Sequence, residues 1–355
     1  SVNCEFAPTE QLVAAIRASV RRGLAALAAP VPMTCSEWAD KHYVLSAESS
    51  YVEQHWRTWP FQRAILDCMG CDDVRTVVMR KPARVGYTKM FGAAVGYFAQ
   101  HKRRNQLVYQ PTDDDAEDWV KTELDTMLRD VPIMSTVFST VARRSKENTL
   151  LQKSFLGSKL KVRGGKAAKN FRRHTSDVVY LDELDGFDRD IEKEGSPVKL
   201  SGKRLEGALF PKHIMGSTPK LQGHSLIDEE FDKTRQRFKF YVPCPHCQHM
   251  QPLEWGGKTE PHGFKWARGK PETVEHLCVR CGVGSTQADY LNSWHLGRWI
   301  SQDGITCTPG PRFFKRDGTE IPPPESVGFE LWTAYSPQAT WASIVEEFLE
   351  ALRLK

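Results

Sequence analysis

Between Thr76 and about Pro219, short runs of consecutive apolar residues alternate with longer amphipathic stretches. That is the pattern left by the βαβ units of a parallel sheet. Three runs are plain: Thr76-Val-Val-Met79, Gln106-Leu-Val-Tyr109 and Asp177-Val-Val-Tyr-Leu181, with His213-Ile-Met215 as a fourth. Each gives way at once to polar residues or glycine, and the C-terminal ends of such strands are where α/β proteins bind ligands. Upstream, Leu12, Ile16, Val20, Leu24 and Leu27 recur at helical spacing. They predict an amphipathic helix over 11–29, either packed on the main domain or docked to a partner. Beyond Phe240 Pro, Gly, Trp and Cys become frequent, and helical spacing returns only at 341–354. The division that results is a helical segment over 1–45, an α/β core over 46–240 and a small insert over 241–299. The last segment, 300–355, is too short for a core of its own and reads as the end of the same unit or a linker leading from it.

Composition changes this picture little. Of 355 residues, 40% are apolar and 26% charged, as in ordinary globular proteins. A net charge of +5 is compatible with a polyanionic partner without singling one out. Arg17, Arg21 and Arg22 interrupt the N-terminal apolar stretch, so neither a membrane span nor a signal peptide is expected. Nine cysteines include two closely spaced pairs late in the chain, and the odd remainder argues against a disulfide framework and for a reducing cytoplasm. The isolated Cys68-Met-Gly-Cys71 reads as a helix end with two ordinary thiols.

Candidate chemistry begins where Thr76–Met79 runs into Arg80-Lys81-Pro-Ala-Arg84-Val-Gly86-Tyr87-Thr88-Lys89. Against the phosphate-loop (Walker A) pattern G-x-x-x-x-G-K-[ST], Gly86 and Thr88 stand where the second glycine and the hydroxyl belong. Lys81 takes the first glycine's place and Tyr87 the lysine's, so the formal pattern fails. The physical parts remain: a strand end, a glycine, a hydroxyl and the cations Lys81, Arg84 and Lys89 around one turn. Alone, such a segment also fits a basic strand-to-helix turn.

Asp182-Glu183 argue against that blander reading. They close the apolar run Val178–Leu181, as in a Walker B segment where the first acid holds Mg²⁺ and the second orients water. Adjacent carboxylates at a buried strand end require a cation nearby. Mg²⁺ and the loop's cations would supply one; the alternative is that one carboxylate caps the next helix. With Gln106–Tyr109 intervening in sequence, the order is that of the additional-strand, catalytic-glutamate class of P-loop ATPases. An α/β fold with a mainly parallel sheet is therefore expected. Asp113, Asp114 and Asp115 follow Thr112 as an N-cap and read as helix N-terminus chemistry. Gly216-Ser217-Thr218-Pro219 ends a strand in small hydroxyl residues able to sense a γ-phosphate, although it also fits an ordinary turn.

Two further features are independent of the loop. Cys244-Pro-His-Cys247 and Cys278-Val-Arg-Cys281 are C-x-x-C knuckles with 30 residues between them. Four such thiols predict a closed, structural Zn²⁺ site in a zinc-knuckle insert, and His246, His249 and His276 are not needed as ligands. Lys159, Lys161, Arg163, Lys166, Lys169, Arg172 and Arg173 follow one another with no acid among them, interrupted by Gly164-Gly165. The expectation is a mobile basic loop in which Lys166, Lys169, Arg172 and Arg173 are DNA-contact candidates, the alternative being a solvated charge run.

Taken in order, the variant loop 81–89, Val178-Val-Tyr-Leu-Asp182-Glu183-Leu-Asp185, Gly216-Ser-Thr-Pro219, the paired cysteines and Tyr335-Ser-Pro337 with Trp341 resemble the lambda-type (GpA family) phage terminase large subunit. The resemblance covers essentially the whole chain, and in that family this departure from the loop pattern is the normal form. It implies an ATPase that drives double-stranded DNA into a procapsid in the host cytoplasm. The partners implied are a terminase small subunit, the portal and further copies of the chain in a ring.

Residue by residue, the resemblance places Lys81 and Arg84 on phosphates, with Arg84 also on transition-state charge. Gly86, Thr88 and Lys89 complete the loop, Thr88 and Asp182 would hold Mg²⁺, and Glu183 would polarise water. Ser217 and Thr218 would belong to a coupling motif. Gln62 would read adenine, with Tyr51 and Trp56 as stacking candidates. A C-terminal RNase H-like nuclease is also implied; no acid cluster after Ile300 would serve it, so the chain reads as the motor portion. Two rival readings are a helicase-like DNA translocase and a zinc-dependent DNA-binding or assembly module with a degenerate nucleotide site. The adjacent Asp182-Glu183 weigh against the second.

Overall fold

The apolar runs lie side by side in one sheet. The computed structural model describes residues 9–27, 30–50, 54–138, 146, 148–220 and 223–354. Its strands include β1 (Thr76–Arg80), β2 (Gln106–Gln110), β3 (Gln152–Phe155), β4 (Ser158–Gly164), β5 (Val178–Asp182), β6 (Lys212–Ser217) and β7 (Gln236–Pro243). They continue with β8 (Gly263–Ala267), β9 (Lys270–Leu277), β10 (Arg298–Ser301) and β11 (Ser326–Glu330). The large sheet runs β10-β7-β11-β1-β6-β5-β2-β4-β3 and is parallel from β7 to β4. β3 makes one edge antiparallel, while β10 and three short strands beyond it extend the other.

Both faces of β1, β2, β5 and β6 are buried, which is why they read as continuous apolar runs. Val77, Met79, Val108, Val178, Tyr180 and Ile214 face one core layer. Val78, Leu107, Tyr109, Val179, Leu181 and Met215 face the other. The helices include α1 (Glu10–Leu27), α2 (Pro60–Gly70), α3 (Tyr87–Tyr97), α4 (Asp113–Trp119), α5 (Leu226–Lys233) and α6 (Trp341–Arg353). α4 begins as its sequence suggests: the Thr112 hydroxyl accepts from Asp115 N, and the three aspartates fill the first turn.

At the C-terminal end of α2, buried Lys212 donates to the carbonyls of Cys68 (2.9 Å), Cys71 (2.6 Å) and Val74, a side chain from β6 capping a helix C-terminus. Burial pulls that amine down to about 8. The stripe of α1 is in solvent: Leu12, Ile16, Val20 and Leu24 are each more than half exposed, so these residues do not pack on the main domain. Among the described residues no helix is long and apolar enough to cross a membrane.

The segment after residue 300 contributes to this architecture, because its strand β11 inserts between β7 and β1 in the centre of the sheet. Its Ser-Val-Gly-Phe-Glu sequence hides the strand, since Gly328 breaks the apolar run. That glycine is required by packing: a Cβ there would lie 2.8 Å from Phe231 and 2.8 Å from the Thr234 hydroxyl. The basic run, expected as a mobile loop, is not a loop throughout. Its first part is β4, paired on both sides, with Leu160 and Val162 in the core and charged residues between them, and a short 3₁₀ turn spans Ala168–Phe171.

Candidate functional site

The segment from β1 to α3 is a tight loop in which Arg84 (φ +67°) and Gly86 (φ +77°) both take the left-handed conformation. Gly86 needs its glycine twice over, since a Cβ would also meet the Gln62 amide nitrogen at 2.5 Å. Gln62 is buried and has both ends of its amide engaged: Nε2 donates to Val85 O at 3.1 Å, and Oε1 accepts from Trp59 N at 2.9 Å. It ties the start of α2 to the loop. Beside it opens a cavity of about 710 Å³ bordered by Trp56, Trp59, Gln62, Gly86, Lys89 and Gln338. That volume suits a ligand of nucleotide size. Trp56 is buried, with its indole N–H spent on the Thr58 hydroxyl (2.7 Å), so the partly exposed Trp59 offers the better stacking face. Tyr51 lies outside the described residues.

Lys81, at the end of β1, is 6% exposed, and its ammonium lies 2.5 Å from Glu183 Oε1 and 4.9 Å from the centre of the Tyr87 ring. Its backbone N–H donates to Ser217 O. Glu183 follows β5 in the left-handed conformation (φ +50°), and its side chain is 46% exposed. Asp182 is buried beside it, and one oxygen accepts from Gln110 Nε2 at 2.9 Å. Burial pushes the Asp182 carboxyl up to about 6, and the neighbouring Glu183 charge adds to that, while Gln110 and Lys81 oppose it. A cation held there would restore the ionised form. The carboxylate keeps acceptor capacity beyond Gln110, and Thr88 is exposed in the first turn of α3.

Not every loop cation points the same way. Arg84 is exposed at the crest of the loop. Lys89 borders the cavity, but its ammonium is 2.7 Å from Glu123 in a mostly buried ion pair. The Ser217 hydroxyl, at the end of β6, accepts from Asp185 N, and Thr218 beyond it is exposed. Sequence reasoning assigned nothing to Gln110 or to Asp185. The latter is buried and its carboxylate accepts from Lys220 N and Ile227 N, both at 2.8 Å, joining the turn after β5 to the start of α5. Gln110 carried a signal, a polar residue ending a fully buried strand. Asp185 had only its place two residues after Glu183.

The four cysteines converge: the Sγ atoms of Cys244, Cys247, Cys278 and Cys281 all lie within 4.8 Å of one another, with 3.8 Å for Cys244–Cys281 and 3.7 Å for Cys247–Cys278. A tetrahedral ion with bonds of about 2.3 Å sets sulfurs about 3.8 Å apart, so the spacing fits zinc. The two knuckles share one backbone pattern. Gln248 N bonds Cys244 O, and Gly282 N bonds Cys278 O, both at 2.9 Å, with Gln248 and Gly282 both at positive φ. His276 is spent elsewhere, accepting from Glu254 N. Among the DNA-contact candidates, Lys166 pairs with Asp188 (3.1 Å) and Arg172 with Glu194, while Lys169 and Arg173 are exposed.

Residues 49–299 match the family described as phage terminase large subunit gpA, ATPase domain. The chain is 46% identical over 339 residues to the terminase large subunit of Enterobacteria phage P21, covering 94% of this chain and 52% of that protein. It is 42% identical over 338 residues to that of Escherichia phage lambda, with the same coverage of each. The chain thus spans about half the length of the curated relatives it matches. Among solved structures, the HK97 bacteriophage large terminase aligns with a TM-score of 0.45 at 13% identity, over 56% of this chain and 41% of that one. On the family match and these two relatives, the chain belongs to the gpA family of phage terminase large subunits, as its ATPase domain.

Proposed function

We propose that this domain hydrolyses ATP to move double-stranded DNA into a viral procapsid in the host cytoplasm, assembled as a ring with a terminase small subunit and the portal. The observation that carries the ATPase reading is the buried Lys81 ammonium on Glu183, with Asp182 alongside and the loop 81–89 around them. The phosphates of ATP would lie on Lys81 and the loop's backbone amides, with the base in the cavity beside Trp59 and Gln62. A γ-phosphate seated on Lys81 competes with Glu183 for the same ammonium and so releases that carboxylate to orient water. Arg84, exposed in the same loop, would reach charge that develops on the transferring phosphoryl group. Mg²⁺ would be held by Thr88 and Asp182 and would neutralise phosphate charge. Ser217 and Asp185 connect Glu183 to α5 and so offer a route for the state of the γ-phosphate to reach the rest of the chain. Gln62 acts on this reading by holding the loop as much as by reading the base. Zn²⁺ on the four cysteines would be structural. DNA would meet exposed Lys169 and Arg173, and Lys166 and Arg172 only by exchanging their acidic partners for phosphates.

The decisive experiment is Glu183→Gln. It should still bind ATP while turnover falls roughly 10²- to 10⁴-fold, the usual worth of a general base. Near-normal turnover would end the reading.

A further inference from the structure

The segment Tyr335-Ser336-Pro337 comes from the far end of the chain yet lies against the phosphate loop. It leaves β11, whose register on β1 ends at Glu330 opposite Arg80, and Leu331 N then donates to Arg80 O at 3.1 Å. Ser336 is completely buried, and its hydroxyl donates to the backbone carbonyl of Arg84 while accepting from Gln338 N at 3.1 Å. Arg84 is the loop residue that needs such a hold. It is not glycine, it sits at φ +67°, and such a conformation persists only where surrounding contacts fix it.

The segment is itself fixed from the other side. The Tyr335 hydroxyl donates to Phe240 O (2.6 Å) and accepts from Leu253 N (2.9 Å), and Tyr290 donates to Tyr335 O (2.8 Å). Trp341 N donates to Gln287 Oε1, whose Nε2 bonds Ala339 O. Ser336 therefore reaches the loop from a rigid base.

We infer that Ser336 is a positioning residue for Arg84: its hydroxyl holds the Arg84 peptide in the left-handed conformation that aims the guanidinium at the reacting phosphate. The inference rests on the role given to Arg84 above. Ser336 touches no phosphate and acts only through that carbonyl. Lys81 lies outside the clamp, because its own backbone is bound to β6 through Ser217 O.

The test is a double-mutant cycle on the whole chain, measuring ATP turnover and the dissociation constant of an ATP analogue. Ser336→Ala should lower turnover roughly five- to ten-fold, the worth of one hydrogen bond, with nucleotide affinity within about two-fold of wild type. In an Arg84→Ala background the same change should cost nothing further in turnover, whereas a general loosening of the fold would slow both proteins alike. Ser336→Cys, which fills the same space with a weak donor, carries the cycle if the alanine variant is unstable. Unchanged turnover in Ser336→Ala beside a slow Arg84→Ala overturns the clamp, and so do losses that simply add. Full turnover in Arg84→Ala overturns the role of Arg84 itself, and the clamp with it.

Discussion

The Lys81 ammonium meets Glu183 Oε1 at 2.5 Å across β6, the strand that separates β1 from β5. The two partners are unequally placed, since the lysine side chain is 7% exposed and the glutamate 46%. The carboxylate can leave for water at little cost, but the buried ammonium requires another anion in its place. That asymmetry is what a phosphate-operated release of Glu183 needs.

It follows that the two single variants should diverge in affinity. Lys81→Ala removes the cation that the phosphates would use, weakening ATP binding by roughly 2–4 kcal/mol if the site excludes water as oxyanion sites do. Glu183→Gln removes the competitor and should bind ATP at least as tightly as wild type. Titration with a fluorescent ATP analogue distinguishes them. Wild-type affinity in Lys81→Ala would mean that the phosphates lie elsewhere.

Lys89 should behave differently from Lys81 because its charge is already committed to Glu123, with both side chains about 15% exposed (15% and 14%). Lys89→Ala strands a mostly buried carboxylate and should lower the melting temperature, yet reduce turnover less than Lys81→Ala or Arg84→Ala. Adding Glu123→Gln should restore stability by removing the stranded charge. A turnover loss matching that of Lys81→Ala, at unchanged stability, would put Lys89 on the nucleotide.

Legibility in the sequence followed the local signals. β1, β2, β5 and β6 were plain because strands buried on both faces leave unbroken apolar runs. The acids Asp182 and Glu183 stood out because they end such a run. β11 was not legible: five residues broken by a glycine signal nothing until Phe231 and Thr234 are seen to fill that glycine's space. β4 was misread because charge outweighed its period-two alternation of Leu160 and Val162. The hold of Ser336 on Arg84 joins residues 252 positions apart, a distance over which no local pattern reports.

His213 makes the fold sensitive to acid. Its ring is buried at the start of β6 against the Ser201 hydroxyl (3.0 Å), and burial, with some help from the Arg75 charge, pulls it down from 6.5 to about 4. In the unfolded chain the ring protonates near 6.5, whereas in the folded chain it stays neutral to about 4. Its contribution to stability is therefore complete above 6.5 and is lost as the pH falls toward 4. The loss is roughly 3 kcal/mol once complete. His213→Gln should flatten the fall in urea midpoint between neutral pH and about pH 4.5, the interval in which the unfolded ring takes up a proton and the folded one does not. An unchanged slope would show that other groups carry the acid sensitivity.

The cysteine cluster predicts about one zinc per chain by elemental analysis. Cys278→Ser, or prolonged chelation, should lower thermal stability more than it lowers affinity for ATP, because an ion on the four sulfurs would join residues 244–247 to 278–281, far along the chain from Lys81 and Asp182. A metal-free protein of unchanged melting temperature would make the convergence of the thiols incidental.

Gly216 offers the sharpest test of why Tyr87 stands where the phosphate-loop lysine is usual. Gly216 lies in β6 between Met79 of β1 and Asp182 of β5, and the Tyr87 ring lies across it. A Cβ at Gly216 would sit 2.2 Å from the ring's Cζ and 2.3 Å from its hydroxyl oxygen. The ring cannot easily move away, being 3% exposed, stacked on Phe91 at 6.2 Å and in contact with the Lys81 ammonium. Tyr87 thus fills the space against the strand, and on the proposed reading the loop's charge would come from Lys81 instead. Gly216→Ala must displace either the ring, and Lys81 with it, or the register of β6. Overpacking of this kind costs about 1–3 kcal/mol of stability. A displacement near 1 Å at the reacting groups can cost about 100-fold in turnover. Shortening the obstructing side chain in the same protein, as Gly216→Ala with Tyr87→Leu, should recover most of the stability and part of the turnover. Melting temperature and turnover of the two single variants and the double settle the matter: if Gly216→Ala works at the wild-type rate, the ring is not what holds Lys81 in place.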